Sequence, residues 1–407
     1  MEAGAGTEQV CQACKGLLAS AVMKKTTEWI NLRKGLQERL PAMLGALKAF
    51  VTAESPSTVK AAADACAALI AAEWGRRGVR VEVLEQKYRG AHLRITREAG
   101  GGRARGQLLV LGHYDTVYAS GTLAKMPYRE RGGQVFGPGA FDMKAGIVQA
   151  LFALDAIERS GAHLGKRLMF LWTSDEEIGS ESSRKLLESE AKRSDAVFVL
   201  EPSLGPKGLL KTARKGVGEA TIVVHGRASH AGLAPESGVN AIHELALQIA
   251  RIRGWNDVRR GVSVNAGIIE GGTRPNVIPD RARAVLDLRA LHVADLRKIE
   301  KRLRALEPIL RGAKLEVRGG FSRAPLERRY SAALYEHARN LGQQMGLRIG
   351  EATAGGGSDG NFTAALGIPT LDGLGAVGDG AHSPGEHILA RAMPERAALL
   401  AALLLTT

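Results

Sequence analysis

Two histidines and five carboxylates fall at the ends of apolar runs or in loops, where they could act together. His113 and Asp115 follow the run 108–111 in Gly112-His113-Tyr114-Asp115. Glu176 and Glu177 follow 168–171, Glu201 follows 196–200, Asp142 lies in Phe141-Asp142-Met143-Lys144, and His382 stands near the C-terminus. Taken singly, each is ordinary: a lone histidine is commonly a satisfied polar residue, and loop acids are commonly solvated. As a set, imidazoles and carboxylates are ligands suited to Zn2+, with Co2+ or Mn2+ as substitutes in vitro. Two histidines and three carboxylates exceed the needs of one tetrahedral zinc with an open position. They suffice for two ions if one carboxylate bridges. Chemistry alone does not tell the neighbours Glu176 and Glu177 apart.

The elements that must position these groups read as two patterns. The runs 108–111, 168–171 and 196–200 have no polar face, as strands buried on both sides require, and the stretch after Lys144 places Ile147, Ala150, Leu151, Leu154 and Ile157 on one helical stripe. Strand and helix in alternation predict an α/β domain with a mostly parallel sheet, whose ligands gather at the C-terminal strand ends. From Gly216 the pattern changes to strand 218–225, helix 239–252, strands 262–269 and 281–289, helix 293–306 and strand 314–318. That order, βαββαβ, predicts a ferredoxin-like α+β domain. The expected organisation is an N-terminal extension at 1–25, a catalytic domain in two parts at 26–215 and 322–407, and the inserted domain at 216–321.

The ordered blocks resemble the M20 zinc metallopeptidases, and among them the glutamate carboxypeptidases of the carboxypeptidase G type. The blocks are Gly112-His113-Tyr114-Asp115-Thr116-Val117-Tyr118, Leu123-Ala124-Lys125-Met126-Pro127, Gly137-Pro138-Gly139-Ala140-Phe141-Asp142-Met143-Lys144, Thr173-Ser174-Asp175-Glu176-Glu177-Ile178-Gly179-Ser180, Glu201-Pro202, Ser229-His230-Ala231-Gly232 and Gly355-Gly356-Gly357-Ser358-Asp359. The resemblance implies a di-zinc exopeptidase in which His113 and Glu201 bind one ion, Glu177 and His382 the other, and Asp142 bridges both. Asp115 would orient His113, and Glu176 would be the general base toward a water held between the ions. A cis peptide would fall at Asp142-Met143. The inserted domain would supply His230 to the oxyanion, with Asn276, Arg289, Arg323 and the Gly356-Gly357 backbone binding substrate. It would also form a homodimer in which His230 and Asn276 reach the other subunit's site. The implied substrates are folate-like or N-acyl compounds with a C-terminal amino acid, glutamate above all. Phe141 departs from the smaller residue common before the bridging aspartate.

Composition trims the alternatives. The chain has 407 residues, 45% hydrophobic and 24% charged, enough to bury a large core. Its formal charge of +14 is spread in mixed runs such as Arg297-Lys298-Ile299-Glu300-Lys301-Arg302, the pattern of a solvated helix face, and aromatics are only 4%, so neither a nucleic-acid nor a membrane partner is expected. Three cysteines make no disulfide framework, and the Cys11-x-x-Cys14 pair lacks a second pair for zinc. With no convincing leader at Met1, cytoplasmic residence is expected, or a periplasmic or secreted one if the start is misassigned. Two competing readings remain: an M20 dipeptidase or N-acyl-amino-acid deacylase with the same metal set, and a noncatalytic metal-containing binding protein.

Overall fold

Leu108-Leu109-Val110-Leu111 needs apolar cover on both sides, and the fold provides it. The computed structural model describes residues 26–100 and 104–407; the extension at 1–25, with Cys11 and Cys14, lies outside the described residues. In the larger of two compact units, β1 (Arg80–Leu84), β2 (His92–Arg97), β3 (Gln107–His113), β4 (Arg167–Thr173), β5 (Ala196–Val199) and a short strand at Thr370–Leu371 form one sheet. The order is β1-β2-β4-β3-β5 and then Thr370–Leu371. From β4 to the short strand the chains run parallel, while β2 and β1 are antiparallel at one edge. Every residue of the central β3 is buried.

Helices α1 (Leu40–Thr52), α2 (Lys60–Gly75) and α3 (Ala145–Ser160) add their apolar faces to the same core. Trp74 of α2 packs on Phe170 and Trp172 of β4, with ring centroids 4.7 and 5.6 Å away. The buried Lys144, just before α3, donates from Nζ to Phe50 O (2.9 Å) and Ala53 O (2.8 Å). Those carbonyls end α1 without helical partners, and a cation there also meets the negative end of the helix dipole. One side chain thus ties the Asp142 turn to α1.

The smaller unit is built from β6 (Gly216–His225), α4 (Ala241–Arg253), β7 (Ser263–Gly271), β8 (Arg281–Ala290), α5 (Val293–Arg304) and β9 (Lys314–Arg323). Its antiparallel sheet has the order β7-β8-β6-β9, the ferredoxin-like arrangement. Here the strands alternate instead of running apolar throughout. β8 buries Ala282, Ala284, Leu286, Leu288 and Ala290, because helices cover one face only. The Asn240 side chain caps α4 by accepting from His243 N at 3.0 Å.

Chain contacts place Thr212–Ser331 together with Thr353–Ile368 in the smaller unit; α6 (Ala332–Gln344) and α7 (Ala392–Thr406) belong to the larger. The glycine loop therefore groups with the smaller unit, where the sequence reading had put it in the second catalytic segment. Hydrogen bonds account for this: Asn361 Nδ2 donates to Lys215 O and Ala324 O, and Arg214 Nη1 to Gly356 O and Gly357 O.

The two units have separate hydrophobic cores. Leu286→Ala is expected to cost about 2–5 kcal/mol in the smaller core. Amide hydrogen exchange should accelerate in β6, β8 and β9 while protection in β3 and α3 is kept.

Candidate metal centre and active site

Parallel strands end on the same edge of a sheet, so three neighbours can deliver side chains to one place. β3 ends at His113, paired in register with Thr173 of β4, whose next turn carries Glu176 and Glu177. β5 ends just before Glu201. Asp142 arrives from the turn before α3, and the peptide bond between Asp142 and Met143 is cis. His382 comes from the loop before α7, with φ of +60°, a left-handed conformation rare outside glycine and concentrated at functional sites.

These residues form two triads that share one member. His113, Asp142 and Glu201 make the first, and Asp142, Glu177 and His382 the second; within each, one potential ligand atom per residue lies within 4.8 Å of the others. Asp142 divides its oxygens between them. Oδ1 is 3.4 Å from His113 Nε2 and Oδ2 is 3.3 Å from His382 Nε2. Glu201 Oε1 lies 3.3 Å from His113 Nε2, and Glu177 Oε2 lies 3.2 Å from His382 Nε2. Asp142 Oδ1 is buried and accepts no hydrogen bond, so its contact with His113 is electrostatic only. A buried acceptor of this kind, between an imidazole and a second carboxylate, fits a divalent cation.

The electrostatics agree. Burial would lower the pKa of His113, but Asp115, Asp142 and Glu201 outweigh it and hold the imidazole well above its ordinary value. Asp142 and then Glu177 push His382 up to about 10. Burial works against ionisation of Asp142, yet the two imidazoles bring it well below the usual carboxylate range. Glu177 is raised by burial, partly offset by His382. Carboxylates that draw positive charge onto two imidazoles draw a metal cation equally.

Backbone clamps fix the set. His113 Nδ1 faces the carbonyl of Asp115 at 3.1 Å; since a carbonyl only accepts, Nδ1 holds the proton and Nε2 is left to ligate. The Asp115 carboxylate, 3.4 Å from the same Nδ1, receives the N–H groups of Glu176 and Glu177 at 3.3 Å each and the Ser57 hydroxyl at 2.7 Å. The sequence-expected orienter thus positions the glutamate turn as well. Glu176 is buried on that turn, beside the triads and outside both.

Two positioning residues escaped the sequence reading. Glu386 is wholly buried and accepts from Phe141 N (2.8 Å), Asp142 N (3.0 Å), Gly139 N (3.2 Å) and the Tyr118 hydroxyl (2.6 Å). It joins the His382 loop to the Asp142 turn, and an acid four residues after the histidine was its only sequence signal. Arg396, the one basic residue in the Ala/Leu-rich α7, is buried and donates to the carbonyls of Gly208, Gly373, Leu374 and Gly375. The 373–376 loop in turn bonds the Glu201 segment, through Gly375 N to Glu201 O (2.9 Å) and Ser203 N to Ala376 O (2.9 Å). A Cβ at Gly375 would fall 2.1 Å from Leu200 O, which requires glycine there.

In the smaller unit, a two-stranded ribbon pairs Ser229–His230 with Val277–Ile278, and Ala231 N donates to Asn276 O at 3.0 Å, so His230 and Asn276 are neighbours. His230 is exposed, and its Nδ1 accepts the N–H groups of Gly232 and Leu233 at 3.1 Å each. The neutral ring therefore carries its proton on Nε2, as a donor. Arg289 is half-buried and paired with Asp287, at 3.0 Å from Nε to Oδ2. Arg323 is buried, lies 3.4 Å from Asp359 and stacks over Phe362. Gly357 packs against Val217 and Arg323, whereas nothing lies within 4 Å of a Cβ built on Gly356.

Comparison with known proteins agrees with this geometry. Residues 109–406 match the family described as Peptidase family M20/M25/M40. Carboxypeptidase G2 of Pseudomonas sp. (strain RS-16) is 32% identical over 312 residues, covering 75% of this chain and 74% of that protein. Acetylornithine deacetylase of Myxococcus xanthus is 31% identical over 210 residues, covering 48% and 52%. The aminopeptidase PepT of Bacillus cereus has the same fold, with a TM-score of 0.75 at 23% identity over 91% of this chain and 98% of that one. A Bacillus subtilis protein described as a dinuclear metal binding peptidase superposes with a TM-score of 0.68 at 16% identity, over 91% and 98%.

Glu386→Gln keeps the side-chain shape but turns an amide donor toward N–H and O–H donors. Metal affinity, followed by competition with a chromogenic chelator, is expected to fall about 10–100-fold. Far-UV circular dichroism should not change.

Proposed function

Because this chain belongs to peptidase family M20/M25/M40, we propose that it is a di-zinc exopeptidase that hydrolyses the amide bond before a C-terminal amino acid, glutamate by preference, in folate-like or N-acyl substrates. The observation that carries the reading is the division of the two Asp142 oxygens between His113 and His382, each with its own second carboxylate. His113, Glu201 and Asp142 would hold one zinc and Glu177, His382 and Asp142 the other, which when bound would polarise the scissile carbonyl and acidify water. The preference for glutamate rests on the likeness of the sequence blocks to glutamate carboxypeptidases.

The chain's own groups divide the remaining work. Glu176, its N–H fixed on Asp115, takes the proton of the attacking water and returns it to the departing amine. His230 offers Nε2–H to the oxyanion, in a tautomer set by its two backbone donors. Arg289 binds the substrate carboxylate bidentately by exchanging its Asp287 partner, with Arg323, Asn276 and the Gly356-Gly357 backbone as further contacts. A homodimer forms through residues 216–321. Its support is β7, an edge strand that exposes Ile268 and Ile269 at 52% and 58% beside unpaired backbone. No helix among the described residues is long and apolar enough to cross a membrane.

Zinc-loaded protein incubated with N-acyl amino acids, folate and methotrexate should release glutamate, and a chelator should stop the release. Glu176→Gln should keep its zinc and lose about 10²–10⁴-fold in kcat; near-normal turnover would remove Glu176 from the base role. Release of acetate or another acyl group from a wider range of amino acids would favour a deacylase instead. Sedimentation should give a dimer for the wild type and a monomer for Ile269→Lys.

A further inference from the structure

Beside Glu177 the larger unit opens a cavity of about 420 Å³, walled by Pro56, Val59, Val117, Tyr118 and Ile178. Its apolar walls come from three segments: the approach to α2, the loop after β3 and the turn after β4. Val59, Val117 and Ile178 are 39%, 46% and 39% exposed, a cost in water that a ligand would remove. The wall is held in place. Thr116 N donates to Ser55 O at 2.9 Å, the Ser57 hydroxyl to Asp115 Oδ2 at 2.7 Å, and the Tyr118 hydroxyl to Ser383 O (3.0 Å) and Glu386 Oε2 (2.6 Å). Asp115 and Glu386 also position the metal triads, so cavity and centre are built on the same two carboxylates. Neither lysine nor arginine lines the cavity, and its one charged lining residue is Glu177.

We infer that this cavity is the acyl subsite and selects substrates whose acyl group is uncharged and apolar, aromatic or medium-chain. The inference rests on the exopeptidase reading above. These walls offer no lysine or arginine to receive the carboxylate of the leaving amino acid, and their one charged residue, Glu177, is the one the exopeptidase reading assigns to zinc. The half of the substrate left for these walls is the acyl group. The space suits a ring or a short chain, since benzene fills an engineered protein cavity of about 150 Å³.

The test holds the leaving amino acid fixed, at whichever one the zinc-loaded enzyme releases, and varies the acyl group through acetyl, butyryl, hexanoyl and benzoyl. kcat/KM should rise about fourfold per buried methylene until the cavity fills. In Val117→Asp and Ile178→Asp, with zinc content measured alongside, the hexanoyl-to-acetyl ratio should collapse at least tenfold. Val117→Ile should preserve it, and Val117→Ser provides a milder variant if the aspartates fail to fold. A flat acyl series in the wild type, or a ratio that survives the substitutions, would overturn the inference. If no amino acid is released at all, the exopeptidase reading fails separately. Calorimetric binding of the same compounds then decides the subsite: tighter binding of hexanoyl than acetyl, lost in the variants, supports it, and equal binding overturns it.

Discussion

The centre depends on one carboxylate whose two oxygens face two imidazoles. Asp142 is partly buried, with Oδ1 shut off from water, and a buried anion persists only with opposite charge and directed donors around it. His113 and His382 meet one oxygen each, while Glu201 and Glu177 add negative charge behind them. The result is an excess of carboxylate in a partly buried place, which cations neutralise. Metal ligation is the arrangement that satisfies every donor in this set at once.

A cluster of like charges would spread apart unless the backbone resisted, and buried charged groups supply the resistance. Asp115 collects the N–H groups of Glu176 and Glu177, Glu386 those around Asp142, Lys144 the last carbonyls of α1, and Arg396 the carbonyls of the loop beneath Glu201. Each is a charge-assisted hydrogen bond to main chain, stronger than a neutral one and insensitive to neighbouring side-chain identity. The hydrogen bonds of Arg396 all go to carbonyls, and burial, opposed by Glu395, lowers its pKa to about 10. Four carbonyl dipoles do the work of a counter-ion. Ligand geometry is thereby set by main chain, which is stiffer than any side-chain contact.

The smaller unit obeys different rules. With helices on one face, its sheet alternates buried and exposed residues; among its candidate substrate groups His230, Asn276 and Gly356 are exposed, Arg289 is half-buried and Arg323 is buried. His230 and Arg289 are nonetheless prepared locally, the first by two backbone donors that fix its tautomer, the second by Asp287. Groups that must exchange a local partner for a substrate gain from partial exposure; of the candidate ligands His113 and Glu201 are buried, while His382 is exposed.

The sequence by itself determined the two architectures and the members of the triads. The short apolar runs 108–111, 168–171 and 196–200, each followed by loop residues, read as strands covered twice, and the alternation along 281–289 as a sheet covered once, so both domains were legible from hydrophobic periodicity. The candidate ligands were legible because histidines and acids at strand ends have few other reasons to recur together, and because their blocks follow a known order. Tertiary structure decided the rest. That Asp142 gives one oxygen to each imidazole, that Asp115 holds the glutamate turn as well as His113, and that the glycine loop groups with the smaller unit all depend on contacts between distant segments. Glu386 and Arg396 escaped notice for the same reason. Their partners are backbone N–H and C=O groups, which every residue carries, so the sequence holds no trace of which ones they bind.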